Sequence, residues 1–204
     1  MRKAIFLDKD GTLIYDVPYN ADPQRIFLQE SLIHGLRNLQ ASGYLLIVVA
    51  NQPGIAHGHF SEFHLKGVKS KMESLLAEEG IMLDGFYYCP HHPEGRMVQY
   101  AYQCTCRKPL PGMLLQAAED HGIDLSASWM MGDILHDVEA GNRAGCSTIL
   151  IDNGNETEWR TGYGRVPDHV APTINEAASI ILGQANNYWM PASFWDSDRS
   201  ALSI

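Results

Sequence analysis

Basic side chains are scarce in this sequence. Its 204 residues include 15 lysines and arginines against 24 aspartates and glutamates, which gives a formal net charge of −9. General nucleic-acid binders and proteins that bind anionic membranes normally present a basic surface, so the charge argues against both classes. A phosphate-bearing ligand would therefore need a local basic pocket or a bound metal ion.

Long apolar runs are absent as well. The longest, from Tyr44 to Ala50, is followed by the polar, turn-prone segment from Asn51 to Gly54 and is far shorter than the ~20 residues of a membrane-spanning helix. Only four apolar residues separate Lys3 from Asp8, too few for the core of a signal peptide. We therefore expect a cytoplasmic protein, whose four cysteines are thiols or metal ligands rather than disulfides.

Apolar runs of strand length alternate with helical patterns along the chain. The expected strands cover about residues 4–7, 45–49, 86–88, 129–131 and 148–151, and the expected helices about 32–39, 61–79, 112–121, 137–144 and 174–182. This alternation predicts an α/β fold with a Rossmann-like parallel sheet and helices on both faces. In the second helix, the residues expected on the inner face are Phe63, Val68, Met72, Leu75 and Leu76.

The length favours a single domain, which we expect over residues 1–182, followed by a tail over residues 183–204 of unknown role. The tail holds four aromatic residues, Tyr188, Trp189, Phe194 and Trp195. We expect it to dock on its own domain, and packing on another chain is the alternative. The corresponding expectation is a monomer, with a tail-mediated dimer as the alternative.

Three of the expected strands end in polar residues, namely Asp8 to Asp10, Asn51 with Gln52, and Asp133. The carboxyl ends of parallel strands share one edge of a sheet, where ligands bind. Asp8 and Asp10 project the same way, and crowded carboxylates need a cation, for which oxygen ligands favour Mg²⁺. Taken alone, the first segment also fits an Asp-Gly turn with a helix cap, and the third fits a Gly-Asp turn that leads into a helix. Together they favour a magnesium site of Asp8, Asp10 and Asp133, with Asp137 as a brace for Asp133.

Three of the four cysteines lie in one segment, over about residues 89–106. Its potential metal ligands are Cys89, His91, Cys104 and Cys106. The pattern C-x-H…C-x-C supplies four ligands that suit a tetrahedral, structural zinc ion. His92 is a competing ligand, and a chance cluster of reduced thiols is the alternative to a metal site. Cys146 has an apolar context and is expected in the core.

Taken together, these motifs resemble those of the haloacid dehalogenase (HAD) superfamily. The resemblance covers about residues 1–182 and rests on Asp-x-Asp-Gly-Thr at 8–12, the segment at Asn51, Lys108, and Gly-Asp-x-x-x-Asp at 132–137. It implies a phosphatase that forms an aspartyl-phosphate, with Asp8 as nucleophile and Asp10 as general acid and base. Asp8, Asp133 and the carbonyl of Asp10 would hold a catalytic Mg²⁺, and Lys108 would neutralise phosphate charge.

The cysteine-rich loop makes the resemblance more specific. Asn-Gln-Pro-Gly-Ile-Ala-His-Gly at 51–58, Cys-Pro-His-His-Pro at 89–93 and Cys-Thr-Cys-Arg-Lys-Pro at 104–109 are similar to the heptose bisphosphate and histidinol-phosphate phosphatase group. The resemblance implies a small phosphorylated metabolite as ligand, a minimal cap and a structural Zn²⁺ in an inserted loop. An anionic ligand is also predicted by Lys9, His57 and Arg107. The residues expected to bind substrate are Lys9, Asp16, Tyr19, Asn51, Gln52, Gly54 and Arg107.

Two positions depart from the heptose enzymes. Their second motif usually has a hydroxyl residue that donates a hydrogen bond to the phosphoryl group, whereas this chain has Ala50. By analogy with oxyanion holes, the missing donor corresponds to about 2–4 kcal/mol less stabilisation of the transition state. Ile134 stands where those enzymes commonly have lysine. The main prediction is a phosphatase of a heptose bisphosphate. The alternatives are a phosphatase of histidinol phosphate or another sugar phosphate, and a catalytically weak module that binds phosphorylated ligands or a protein partner.

Overall fold

The computed structural model describes residues 1–157, 159–160 and 162–184. Residues 185–204, with the four aromatic residues of the expected tail, lie outside the described part, so the tail's role and the oligomeric state stay predictions. Among the described helices, none has both the length and the apolar character needed to cross a membrane.

Six strands form one parallel sheet, which confirms the predicted α/β fold. The strands are β1 (Lys3–Leu7), β2 (Tyr44–Asn51), β3 (Gly85–Cys89), β4 (Trp129–Gly132), β5 (Ser147–Ile151) and β6 (His169–Ala171), in the spatial order β3-β2-β1-β4-β5-β6. The α-helices are α1 (Ile33–Ala41), α2 (Pro53–His57), α3 (Glu62–Glu78), α4 (Gly112–His121), α5 (Leu135–Ala144) and α6 (Ile174–Ile181). β6 and α2 were not predicted, because elements of three and five residues are too short to show a periodic pattern.

Different helices cover the two faces of the sheet. Successive side chains of a strand point to opposite faces. On β1, Ile5 and Leu7 therefore pack with residues of α1, α3 and α6, whereas Ala4 and Phe6 pack with residues of α4 and α5. Because both faces are buried, the strands at the centre of the sheet read as continuous apolar runs.

Phe63 was expected on the inner face of α3, but the structure places it on the outer face. Phe63 is 77% exposed, whereas Val68, Met72 and Leu76 are buried. Each helical residue rotates about 100° from the one before, so Phe63 lies about 180° from Met72, nine positions later. The buried row begins instead at Leu65.

The strand order reverses around β1, and this reversal positions the site. The chain passes from β1 to β2 on one side and later returns to the other side of β1 as β4. The residues that directly follow these three strands are Asp8, Gln52 and Asp133. Ligands of open α/β sheets bind outside the carboxyl ends of strands at such a reversal. Between β1 and α1 the only regular helix is the short 3₁₀ turn Pro23–Arg25, which agrees with the expected minimal cap.

Candidate active site

Asp8, Asp133 and Asp137 converge at the carboxyl edge of the sheet. One carboxylate oxygen of each lies within 4.8 Å of the corresponding oxygens of the other two, and all three residues are buried. Burial raises the pKa of Asp8 well above its ordinary value, although Lys108 beside it acts in the opposite direction. Burial and the charge of Asp137 raise the pKa of Asp133 to about 6. The protein alone therefore does not balance the negative charge of this cluster.

Lys108 brings one positive charge to the cluster. Its ammonium is bonded to Asp8, lies 2.6 Å from Oδ1 of Asp137 and donates to the carbonyl of Val49 at 2.8 Å. Burial lowers the pKa of Lys108, but the charges of Asp137 and Asp8 outweigh it and raise that pKa above its ordinary value. Lys108 is therefore charged at neutral pH, as stabilisation of a phosphoryl group requires.

Asp137 contacts Lys108, whereas the sequence predicted that it would brace Asp133. Asp137 pairs with Lys108, because the ammonium attracts its carboxylate whereas Asp133 repels it. The second oxygen of Asp137 accepts from the main-chain N–H of Ile134 at 3.3 Å. Asp137 therefore supports the site through Lys108.

The donor set around Asp133 fits a divalent cation. Oδ1 of Asp133 accepts from the hydroxyl of Thr12 at 2.9 Å, and Oδ2 accepts from the amide of Asn155 at 2.7 Å. Both donors are neutral, so they orient the carboxylate without removing its charge. Three buried carboxylates with one ammonium leave a negative excess that a cation with a preference for oxygen, such as Mg²⁺, would neutralise.

The turn after β1 allows Asp133 to approach the main chain closely. Gly11 has a φ of +83°, and a Cβ at this position would lie 2.0 Å from Oδ2 of Asp133. Asn153 donates to the carbonyl of Gly11 at 2.7 Å and fixes the turn from the loop after β5. Glycine at this position is therefore a requirement of the site as well as of the turn.

Asp10 lies at the same edge, and both of its oxygens have donors. The ammonium of Lys9 donates a hydrogen bond to Oδ1, and Nε2 of Gln52 donates one to Oδ2 at 3.0 Å. We expected Lys9 to contact substrate, but its side chain is only 2% exposed and is directed at Asp10, because the adjacent carboxylate attracts its ammonium. Its placement does not fit direct contact with a ligand.

A cavity of about 270 Å³ opens beside Asp10. Five of the seven expected substrate-binding residues line it: Asp16, Tyr19, Asn51, Gln52 and Gly54. Burial, together with the charge of Asp10, raises the pKa of Asp16. The ring of Tyr19 stacks on His59 with 4.2 Å between centroids. The structure therefore gathers around one cavity residues that are up to 38 positions apart in the sequence.

Arg107, the seventh expected substrate-binding residue, lines a second cavity of about 600 Å³. Lys108, His92 and His136 line this cavity with it. Nη1 of Arg107 is buried and has no hydrogen-bond partner among the described residues. Leaving a buried charged donor unpaired is costly, so an anionic group of a ligand would satisfy this guanidinium.

The predicted metal ligands of the cysteine-rich loop form a compact cluster. The sulfur of Cys106 lies 3.2 Å from those of Cys89 and Cys104, and 3.4 Å from Nδ1 of His91. Ligands of a tetrahedral zinc ion are about 3.3–3.8 Å apart, given metal–ligand distances near 2.0–2.3 Å. The distance from Cys106 to His91 lies in this range, and the two sulfur–sulfur distances are slightly shorter. The hydroxyl of Tyr102 lies 2.6 Å from Nε2 of His91 and orients the ring toward the cluster. The four residues thus form a Cys₃His donor set that fits zinc.

The two residues left out of this donor set have other environments. His92 lies outside the cluster, and its Nδ1 accepts from the N–H of Glu94 at 3.2 Å. Cys146 is buried in the apolar core, where burial raises the pKa of its thiol to about 12. The distinction between three ligand cysteines and one core cysteine therefore agrees with the geometry.

Sequence reasoning missed Thr12, Tyr102, Asn153 and Asn155. Thr12 belongs to the Asp-Gly-Thr motif, so a signal for it was available in the sequence. Asn153 and Asn155 lie in an irregular loop after β5, and no periodicity or spacing in the sequence connects them with Asp133. Their contacts to the site depend on the pairing of β4 with β5.

Comparisons with known proteins agree with the geometry. Residues 105–177 match the HAD-hydrolase-like family model. The chain is 46% identical over 155 residues to D-glycero-β-D-manno-heptose-1,7-bisphosphate 7-phosphatase of Pasteurella multocida, an alignment that covers 76% of this chain and 84% of that protein. With the enzyme of the same name from Haemophilus influenzae, identity is 42% over 183 residues, which cover 89% of this chain and 97% of that protein.

A solved structure shows the same architecture. The crystal structure of D,D-heptose 1,7-bisphosphate phosphatase from B. bronchiseptica, complexed with magnesium and phosphate, matches with a TM-score of 0.76 at 29% identity and covers 91% of this chain and 100% of that chain. The resemblance inferred from the motifs is thereby confirmed. Because the similarity extends over most of this chain and most of each relative, the chain belongs to the HAD phosphatases, in the group that contains the heptose-1,7-bisphosphate 7-phosphatases.

Proposed function

We propose that this chain removes the 7-phosphate of D-glycero-D-manno-heptose 1,7-bisphosphate through an aspartyl-phosphate on Asp8. The observation that carries the proposal is the contact of the buried Asp8 with Lys108 beside Asp133 at the carboxyl edge of the sheet. The names of the relatives support the substrate, since two of them, at 42–46% identity, are 7-phosphatases of this bisphosphate.

In the first step, a carboxylate oxygen of Asp8 attacks phosphorus while the bond from phosphorus to the sugar oxygen breaks. Lys108 stabilises the charge on the phosphoryl oxygens. Asp8, Asp133 and the main-chain carbonyl of Asp10 would hold Mg²⁺, which would supply positive charge to offset the repulsion between the nucleophile and the phosphate. Asp10 gives a proton to the sugar oxygen, which leaves as a hydroxyl group.

In the second step, water attacks phosphorus and the bond from phosphorus to Asp8 breaks. Asp10 accepts the proton of the water, inorganic phosphate leaves, and Asp8 is again a carboxylate. The protonation state of Asp10 returns to that at the start, so the cycle balances without a further reactant.

The two cavities support a substrate with a second anionic group. The cavity beside Asp10 suits the sugar, and the unpaired Nη1 of Arg107 in the neighbouring cavity suits the 1-phosphate. Histidinol phosphate instead carries an ammonium group, which Arg107 would repel. The bisphosphate is therefore favoured over that alternative.

Release of inorganic phosphate from both compounds, in the presence of Mg²⁺, tests the proposed function. We expect the heptose bisphosphate to have the higher kcat/KM and to lose only its 7-phosphate. The Asp8→Asn variant should lose at least a thousandfold in kcat, because it lacks the nucleophile. A higher kcat/KM for histidinol phosphate would overturn the substrate, and equal turnover by Asp8→Asn would overturn the mechanism.

We also propose that the Cys₃His cluster holds a structural Zn²⁺. The distances among its donors and the second contact of His91 support this assignment. Cys106 lies two residues before Lys108, so a closed site here would fix the main chain that presents the lysine to Asp8.

A further inference from the structure

Two buried polar side chains hold the carboxyl group of Asp10, the residue that transfers protons in the proposed function. Lys9 is bonded to one oxygen and Gln52 donates to the other at 3.0 Å. The side chain of Lys9 is 2% exposed and Gln52 is 4% exposed, whereas the side chain of Asp10 is 33% exposed. Asp10 therefore reaches the cavity, whereas both of its donors are almost fully covered, Lys9 beneath the surface and Gln52 at the cavity wall.

The two donors come from different strand ends. Lys9 follows β1, and Gln52 follows β2. The main chain of Gln52 is itself fixed, because its N–H donates to the carbonyl of Cys89, the last residue of β3, at 2.8 Å. An aspartate has two rotatable side-chain bonds, and donors on both oxygens from separate elements fix both of them. The plane of the carboxyl group is thus set by the sheet rather than by the substrate.

We propose that Gln52 and Lys9 are positioning residues, which hold Asp10 in the orientation that gives a proton to the leaving oxygen. This inference rests on the proposed function. It changes the role expected for Gln52 from the sequence: Gln52 lines the cavity, but its amide donates to Asp10 and acts on the reaction through that residue. Burial of Lys9 has the same explanation, because a buried ammonium is costly without a carboxylate partner.

The proposal separates two kinds of substrate. A sugar alkoxide is strongly basic and must be protonated as it leaves, whereas p-nitrophenolate is weakly basic and leaves without a proton. Displacing Asp10 therefore slows phosphoryl transfer from a sugar phosphate but not from p-nitrophenyl phosphate. The relevant quantity is kcat/KM, which reports transfer to Asp8 and not the later hydrolysis of the aspartyl-phosphate.

The experiment measures kcat/KM with heptose 1,7-bisphosphate and with p-nitrophenyl phosphate, in Mg²⁺, for wild type, Gln52→Met, Lys9→Met and Asp10→Asn. Methionine keeps the length of either side chain and removes its hydrogen bonds. We expect Gln52→Met and Lys9→Met to lose at least tenfold with the sugar phosphate and less than about threefold with the aryl phosphate. Gln52→Asn, which keeps the amide but is too short to reach Asp10, should behave like Gln52→Met and replaces it if that variant does not fold.

A double-mutant cycle with the sugar phosphate alone tests whether Gln52 acts through Asp10. In the Asp10→Asn background, Gln52→Met should cause no further loss. Equal losses with both substrates, or additive losses in the cycle, would overturn the positioning role and leave the phosphatase function standing. Failure of the wild type to hydrolyse the sugar phosphate would instead overturn the proposed function.

Discussion

Asn51 holds the main chain of Lys108 from both sides. Its side-chain oxygen accepts from the N–H of Lys108 and its amide donates to the carbonyl of the same residue, both at 3.0 Å. The last residue of β2 is thereby tied to the residue that contacts Asp8. The sequence predicts that Asn51 binds substrate, and Asn51 does line the cavity. The structure shows that it also holds the main chain of Lys108.

The Asn51→Ala variant tests the importance of this contact. The substitution removes two hydrogen bonds and leaves the main-chain N–H of Lys108 without its acceptor. We therefore expect the free energy of unfolding to fall by about 1–3 kcal/mol. The kcat should fall at least tenfold, because Lys108 loses its fixed position. Urea unfolding and phosphate-release kinetics measure the two effects. Wild-type kcat in a folded Asn51→Ala protein would contradict the expected link between Asn51 and Lys108.

Substitution of Arg107 tests the site expected for the second phosphate. Arg107→Gln should raise KM for heptose 1,7-bisphosphate at least tenfold, since one charge-assisted hydrogen bond contributes about 1.5–3 kcal/mol. KM for heptose 7-phosphate, which lacks the group that Arg107 would bind, should change less than threefold. Arg96→Gln is the matched control, because Arg96 is an exposed arginine of the same loop. Equal increases of KM for both substrates would show that Arg107 does not distinguish them.

Much of the site was predictable because it lies at strand ends. Asp8, Asn51 and Asp133 each sit at or just after the end of an apolar run, and parallel pairing brings such positions together whatever their separation in sequence. The spacing of Cys104 and Cys106 carried a second local signal. Both signals are contained in short segments of the sequence, so they can be recognised without the tertiary structure.

The contacts that sequence analysis missed depend on tertiary structure. Lys9 is a cationic residue between two site aspartates, which is typical of a residue that binds an anionic ligand. Only its burial against Asp10 shows another role. Asn155 reaches Asp133 across two neighbouring strands from a loop with no sequence pattern. The prediction for Phe63 is wrong because this apolar residue lies on the side of the helix opposite to the buried Met72. Hydrophobicity alone does not determine which side of a helix is buried.

Removing one cysteine of the cluster tests the zinc proposal. Cys106→Ser should lower bound zinc from about one equivalent to less than half, because a closed tetrahedral site needs all four ligands. The melting temperature should fall and so should kcat, since Lys108 is two residues away. Cys146→Ser also removes a thiol, but this residue lies in the core, so it should lower the melting temperature and leave zinc content unchanged. A full equivalent of zinc in Cys106→Ser would exclude that residue as a ligand.

Glu139 provides a pH-dependent contribution to stability. Its carboxylate pairs with Arg165 and Arg143, each at 2.8 Å. Burial acts to raise the pKa of Glu139, but the two arginines outweigh it and hold that pKa below its ordinary value. The folded state thus binds the proton more weakly than the unfolded state. The contribution is therefore complete above the unfolded pKa of about 4.3 and is lost as the pH falls through the lower folded value.

The Glu139→Gln variant measures that contribution. At pH 7 we expect its free energy of unfolding to be about 1–3 kcal/mol below that of wild type, because two charged contacts of a largely buried carboxylate are lost. Below about pH 4 the difference should shrink, since wild-type Glu139 becomes neutral as well. Urea unfolding of both proteins between pH 7 and pH 3.5 gives the difference at each pH. A difference that stays constant over this range would mean that the glutamine perturbs packing and that the charge of Glu139 contributes nothing to stability.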